Sequence, residues 1–259
     1  MHKRIKLTIA YDGTRYCGWQ IQENGITVEE MINKSLSGLL GEKICIMGAS
    51  RTDAGVHALG NVAVFDTHTR IPPEKISYGL NQRLPEDITV QKSEEVPKEF
   101  HPRYAAAIKT YEYKILNRTF PQPICRLYTH FIYYPLDVEA MQKAAAYLVG
   151  EHDFKSFSSI GGQTKTSVRT ITALDVEKEG DIITIRVSGT GFLYNMVRII
   201  SGTLIQVGQG YRTPESVQEI IEKRDRRFAG PTAPPRGLTL IGINFTGNDD
   251  KIIDMGGQV

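Results

Sequence analysis

No apolar run in this 259-residue chain approaches the ~18 residues that a membrane-crossing helix requires, so insertion into a bilayer is not expected. Residues Met1 to Gly13 alternate like a short strand and lack the continuous apolar centre of a secretion signal, which argues against export. Cysteine is scarce. Cys17, Cys45 and Cys125 form no CxxC pair and leave an odd count, which excludes a disulfide framework and the usual zinc spacings and makes a reducing, cytoplasmic setting the expectation. A Walker loop, a dinucleotide fingerprint and other metal-ligand spacings are also missing, so neither a cofactor nor a metal is expected. Net charge is lacking too. Lys and Arg number 31 against 29 Asp and Glu, and the resulting +2 is too small to point to a nucleic-acid partner by itself.

What is present suits a soluble globule: 41% hydrophobic and 23% charged residues, in a chain long enough for one large domain or two small ones with substantial cores. The cations are unevenly placed. Lys223, Arg224, Arg226 and Arg227 crowd the end of one helical segment, His101, Arg103 and Lys109 flank the middle, and Arg169, Arg198 and Arg236 punctuate the second half. Cations at a helix C-terminus complement the macrodipole without any ligand, so the 223–227 group supports a solvated helix end and a polyanion contact equally.

The same order of elements occurs twice. Ile5, Leu7, Ile9 and Tyr11 alternate as a strand, and Thr27 to Glu30 read as the capping-box start of a helix with Val28, Met31, Ile32, Leu36 and Leu39 on its apolar face. Strands over 44–49 and 61–67, a short helix after Pro73 and a strand near 88–96 complete the first half. The second half reads as a strand over 105–116, a helix from Asp137 to a Gly150 cap, strands over 168–177 and 181–188, a helix over 192–207 and a strand over 238–245. Thr213 and Pro214 open one additional helix that runs to about Arg224. Strand, helix, strand, strand, helix, strand is the ferredoxin-like (RRM-like) order. The expectation is an α+β fold of two such units, 1–104 and 105–245, each an antiparallel sheet with helices on one face, joined around a central positively charged cleft. Residues 246–259 read as a loose tail, and 117–135 and 156–167 as long surface connections.

One short string carries chemistry. GASRTDAGVHALGNV, Gly48 to Val62, places the carboxylate of Asp53 in a glycine-bounded connection between two apolar runs, together with Arg51, Thr52 and His57. An isolated DAG would be an ordinary Asx turn with Gly55 at positive φ, but a turn does not require those other polar groups. A carboxylate working in a cleft must stay charged despite desolvation, which calls for a nearby cation. Arg198 is the candidate: it shares a helical stripe with Gly191, Asn195 and Gly202, apart from the apolar face of Leu193, Met196, Val197, Ile200 and Leu204.

The Asp53 string resembles the catalytic motif of the tRNA pseudouridine synthase A family, and five further blocks match it in order. They are YDGTRYCGWQIQ (Tyr11 to Gln22), KTYEY (Lys109 to Tyr113), GEHDFKSF (Gly150 to Phe157), GTGFLYNMVRIISGTL (Gly189 to Leu204) and APPRGLTL (Ala233 to Leu240). The resemblance implies an isomerase that turns uridine into pseudouridine at nucleotides 38, 39 and 40 of the tRNA anticodon stem-loop. It implies a homodimer in which one tRNA touches both subunits. It also implies Asp53 as the catalytic carboxylate, Arg198 as its ion-pair partner, Tyr111 as the ring that stacks on the target base, and Arg51 as the side chain that helps displace the nucleotide. His57 has no such role in the family and reads as a structural or RNA-contact histidine, while Trp19 with Gln20 and His152 with Asp153 and Phe154 read as scaffolding.

Two other classes compete with this expectation. A catalytically silent tRNA-binding protein on the same fold has no need of Asp53 with Arg51 and Arg198. A glycoside or nucleoside hydrolase normally requires a second acid flanking the bond, and none stands out.

Overall fold

The computed structural model describes residues 2–161 and 164–246. Of the expected tail only Thr246 falls in that range, and 247–259 lie outside the described residues. Among the described residues no helix is long and apolar enough to cross a membrane.

The fold is α+β, built on a mostly antiparallel sheet. In the first half β1 (Lys3–Tyr11) lies between β3 (His57–Thr67) and β4 (Ile88–Val96), and a two-residue β2 (Met47–Gly48) pairs with the far side of β3. In the second half β5 (Ala107–Asn117) lies between β9 (Ile182–Gly189) and β10 (Leu238–Phe245), with β8 (Val168–Glu179) beyond β9 and β7 (Gly150–Asp153) at the edge. A short β6 (His130–Ile132) adds in parallel to the end of β5. The halves thus run in spatial order β4-β1-β3-β2 and β10-β5-β9-β8, one permutation used twice. They are welded where β3 meets β10 in parallel, Thr239 opposite His57 and Leu240 opposite Ala58.

The burial of alternate residues explains these strands. Ile5, Leu7 and Ile9 of β1 are fully buried, as are Tyr113 and Ile115 of β5, because successive side chains leave opposite faces of a pleat. Helix α1 (Val28–Leu40) starts where the Thr27 hydroxyl accepts the Glu30 N–H and stops at Gly41, whose φ of 67° is the left-handed cap that favours glycine. Its Val28, Ile32 and Leu36 join β1 and α2 (Ile76–Asn81) in the core. Helix α3 (Val138–Ala146) is capped by Asp137, which accepts the Ala140 N–H. Helix α4 (Met196–Gly208) is buried nearly all round, so its expected division into one apolar face and one open stripe gives way to a helix enclosed by α3, β5 and the 226–237 segment. Helix α5 (Ser216–Lys223) is the additional element, with Val217 and Ile220 inward.

Four boundaries differ from the sequence expectation. The strand expected over 44–49 shrinks to Met47–Gly48 because the Ile44 and Ile46 N–H groups donate to Ser37 Oγ and Asn33 Oδ1 of α1 instead of to a neighbouring strand. Strand β3 begins at His57, which shortens the Asp53 connection to the residues before it. Helix α4 begins at Met196 because Asn195, at φ 60°, interrupts the run from Phe192. Gly150 does not cap α3; it opens β7 at φ 113°.

Candidate active site

The loop bearing Asp53 is held from below by backbone packed against backbone. Trp19 N–H donates to the Thr52 carbonyl at 3.1 Å, Gly55 N–H to the Tyr16 carbonyl at 3.2 Å, and Val56 N–H to Asp53's own carbonyl at 3.1 Å. These approaches require glycine. A Cβ on Gly13 would sit 2.0 Å from the Val56 oxygen, and one on Gly18, whose φ is 87°, would sit 2.6 Å from the Thr52 oxygen. The YDGTRYCGWQ block is therefore the floor of the loop. Fully buried Trp19 completes it, its indole lying against Gly48.

Side chains tie the loop to the strands. Thr52 Oγ1 and Tyr11 Oη share a hydrogen bond of 2.7 Å, Asn61 Nδ2 donates to the Ser50 carbonyl at 3.1 Å, and Ser50 Oγ meets Tyr111 Oη at 2.8 Å. Ser50, Thr52, Tyr11, Asn61 and Tyr111 are all buried. Such a satisfied polar network fixes a single loop conformation, since any unmade bond inside it would leave a desolvated group without a partner.

Asp53 meets Arg198 across the cleft between the halves. Asp53 Oδ2 lies 3.5 Å from Arg198 Nη1, with only 23% and 15% of the two side chains exposed. That separation is an ion pair longer than a good hydrogen bond. The guanidinium is held by other groups: its Nε donates to the Ala233 carbonyl and its Nη1 to Asn195 Oδ1, both at 2.7 Å. Asn195 caps α4 in the left-handed region, which asparagine tolerates, and donates in turn to Ser159 Oγ at 3.0 Å. Desolvation dominates at Asp53 and holds its pKa above the ordinary carboxylate value, with Arg198 pulling the other way.

The walls complete the cleft, a cavity of about 820 Å³ lined by Arg51, Arg103, Lys109, Tyr111, Arg169 and Arg198 around Asp53, its one carboxylate among the described residues. Tyr111 is 6% exposed and its ring meets Phe192 edge-on at 5.3 Å. Burial pushes the Tyr111 hydroxyl up to about 12, so it stays protonated at neutral pH. Tyr113 points away into the core and donates to the Pro234 carbonyl at 3.0 Å. The APPRGLTL block thus serves both Arg198, through Ala233, and Tyr113, through Pro234.

The remaining candidate residues lie elsewhere or do other work. His57 is buried on β3, where Gly13 N–H donates to its Nδ1 and its Nε2 reaches the Leu127 carbonyl at 3.0 Å. The Asp12 carboxylate also lies 3.0 Å from Nδ1, so both ring nitrogens are engaged away from Asp53. The 223–227 group is largely consumed internally: Arg227 pairs with Asp225 at 2.6 Å, Arg224 with Asp153 at 3.4 Å, and the Lys223 ammonium lies over the Phe228 ring. Close approach at Gly202 is made by backbone, the Pro231 carbonyl, whose oxygen a Cβ would meet at 1.9 Å. Sequence reading offers Arg103 and Lys109 only as cations flanking the middle of the chain and Asn195 only as a neighbour of Arg198 on its helical stripe, and it gives Ser50 no functional role.

The cavity thus sets one carboxylate among five cations, a lining whose charge suits a polyanion. Comparison with known proteins supplies the class. The family model described as tRNA pseudouridine synthase matches residues 7–105 and 144–246. The chain is similar to tRNA pseudouridine synthase A of Ruminiclostridium cellulolyticum, 52% identical over 244 residues, and to that of Acetivibrio thermocellus, 49% identical over 243; each match covers 94% of this chain and 100% of the relative. The chain belongs to the tRNA pseudouridine synthase family, isomerases that convert uridine to pseudouridine in tRNA.

Proposed function

We propose that this protein isomerises uridine at nucleotides 38, 39 and 40 of the tRNA anticodon stem-loop, with Asp53 as its catalytic carboxylate. The observation that carries the reading is the Asp53 to Arg198 pair at 3.5 Å, formed between the two halves of the chain in a cleft otherwise lined by cations. The reaction breaks the N1–C1′ bond, turns the uracil and joins C5 to C1′; C5 gives up its proton and N1 gains one, so no electrons or external groups are exchanged and no cofactor is called for. One ionised carboxylate suffices, by attack at C1′, by addition at C6 or by removal of a ribose proton. Arg198 keeps it anionic as the RNA excludes water.

In this reading the two halves are ferredoxin-like units whose welded sheets frame the cleft. A uridine stacked in a stem cannot offer C1′ to Asp53, so it must leave the stack, at a cost of a few kcal/mol. Arg51, two residues before Asp53 and on the cleft wall, helps displace it, and the Tyr111 ring stacks on the freed base. Base-aromatic stacking contributes ~1–3 kcal/mol and tolerates rotation of the base. Accepting three neighbouring positions requires contacts to shape and backbone instead of base edges, in a cytoplasmic homodimer that grips one tRNA with both subunits.

Tritium release from C5-labelled uridine in unmodified tRNA, followed by mapping of the product, tests the reading. Asp53→Asn is expected to bind tRNA normally and release no tritium. Normal turnover by that variant rejects the assignment, product outside nucleotides 38–40 rejects the site choice, and unchanged RNA with the wild-type chain favours a silent binding protein.

A further inference from the structure

Lys109 and Arg103 are cations of the cleft wall that the chemistry at Asp53 does not use. Lys109 stands two residues before Tyr111 on β5, so both side chains leave the same face of the strand about 6.8 Å apart. The Lys109 ammonium donates to the Ala49 carbonyl at 2.9 Å, and Arg103 Nε donates to the preceding carbonyl, Gly48, also at 2.9 Å. Both side chains line the cleft, and neither forms an ion pair with a carboxylate among the described residues. An ammonium carries three donors and a guanidinium five, so these single bonds to carbonyls leave most of their donor capacity for a ligand.

Such an arrangement is costly without an anion. Two positive side chains converge on neighbouring neutral carbonyls, and burial together with Arg103 lowers the Lys109 pKa to about 8. A negative group seated between them removes the repulsion and uses the spare donors. The substrate of this family is a polyanion that brings a phosphate with every nucleotide.

We propose that Lys109 and Arg103 form a phosphodiester-binding subsite, which seats the RNA backbone next to the nucleotide offered to Tyr111 and Asp53. This rests on the reading of the cleft as the tRNA site. The two carbonyls that hold the cations immediately precede Ser50, at the start of the Asp53 loop, so the seated phosphate and the carboxylate keep a fixed relation. The subsite carries no sequence information, as suits a backbone contact.

The test is the salt dependence of binding of an unmodified tRNA transcript to the full chain, with Lys109→Gln, Lys109→Arg and Arg103→Gln beside the wild type. Removing either cation is expected to raise Kd roughly tenfold at low salt and to lower the slope of log K against log salt by about 0.7–0.9. Lys109→Arg should keep the slope. Trp19, the chain's single tryptophan, lies against Gly48, so its emission reports whether the loop keeps its packing in each variant. Exposed Arg103 carries the test if Lys109→Gln fails to fold. Wild-type Kd and slope in Arg103→Gln would overturn the proposal, as would a Lys109→Gln variant that loses turnover while binding like wild type, since that is the mark of a carbonyl clamp alone. Absence of pseudouridine from the wild-type reaction rejects the underlying reading; wild-type product alongside variants with an unaltered slope rejects only the subsite.

Discussion

Removing the positive charge of Arg198 should switch the enzyme off near neutral pH and leave it partly recoverable at higher pH. At an effective dielectric constant of about 20, two unit charges 3.5 Å apart attract by about 5 kcal/mol. Breaking one side of a largely desolvated pair costs about 3–5 kcal/mol, which as charge stabilisation lost from the reacting carboxylate is a rate loss of ~10²–10⁴. Burial already raises the Asp53 pKa and Arg198 opposes that shift, so Arg198→Gln must raise it further. The defect is therefore one of ionisation, and the acid limb of the pH–rate profile moves to higher pH.

Single-turnover tritium release with enzyme in excess isolates this step from tRNA binding. Arg198→Gln should show its largest deficit at low pH and regain rate as pH rises. Arg198→Lys keeps the charge but lacks the fork that reaches both Ala233 O and Asn195 Oδ1, so it should fall between wild type and Gln. An Arg198→Gln enzyme with wild-type rate and an unmoved acid limb would refute the reasoning, because Asp53 would then owe its charge to some other group.

Asp53→Asn should melt at higher temperature than wild type at neutral pH. The folded-state pKa is raised, so the folded protein binds this proton more tightly than the unfolded chain, and stability falls as pH rises from the ordinary carboxylate range through the folded pKa. The gain in Tm should vanish in acid; a gain that persists there would contradict the desolvation argument. Tyr111→Phe should retain stacking and lose only the Ser50 bond, about 1 kcal/mol of stability, whereas Tyr111→Ala should weaken turnover by the ~1–3 kcal/mol of a stacked base; equal activity of Tyr111→Ala and wild type in tritium release would remove Tyr111 from the mechanism. Gly202→Ala puts a methyl 1.9 Å from the Pro231 oxygen and should cost at least ~1–3 kcal/mol in denaturant titration, with activity falling as well because the 231–233 segment holds Arg198. His57→Phe should reduce Tm and leave the kcat of the surviving folded enzyme intact, since the ring's bonds go to Gly13 and Leu127; loss of kcat in a fully folded variant would argue for a role in chemistry.

Local rules carried much of the fold. The alternation of Ile5, Leu7 and Ile9, the Thr27 cap and the Asp137 cap are each decided within a few residues, so a single sequence displays them. What depended on distant partners was hidden. The 44–49 run looks like a strand until Asn33 and Ser37 of α1 claim its N–H groups, and nothing local says that β3 and β10 meet in parallel. The same division holds in the cleft. Asp53 stands out in its block, but the Asn195 turn that aims Arg198, and the carbonyls that Lys109 and Arg103 grip, are products of packing between segments far apart in the chain.

The division of the site between halves has an energetic logic. Asp53 belongs to a loop of the first half, and Arg198, Tyr111 and Lys109 belong to the second, so the carboxylate is compensated only where β3 and β10 bring the halves together. Neither half alone contains both Asp53 and Arg198, and burying the acid without that cation would be unfavourable. The residual penalty, seen in the raised pKa of Asp53, persists in the assembled fold, and in the proposed mechanism this carboxylate, less stabilised than it would be in water, is the reacting group. Two features meet that demand without relaxing it. Glycines 13 and 18 let the floor backbone press against the loop, and the Tyr11, Thr52, Asn61, Ser50 network ties the residues on either side of Asp53 to the strands. A substitution that loosens this support, such as Gly18→Ala, should therefore lower the Asp53 pKa toward its ordinary value while it lowers the rate; a loosened loop that kept full activity would show that the strain at Asp53 does no catalytic work.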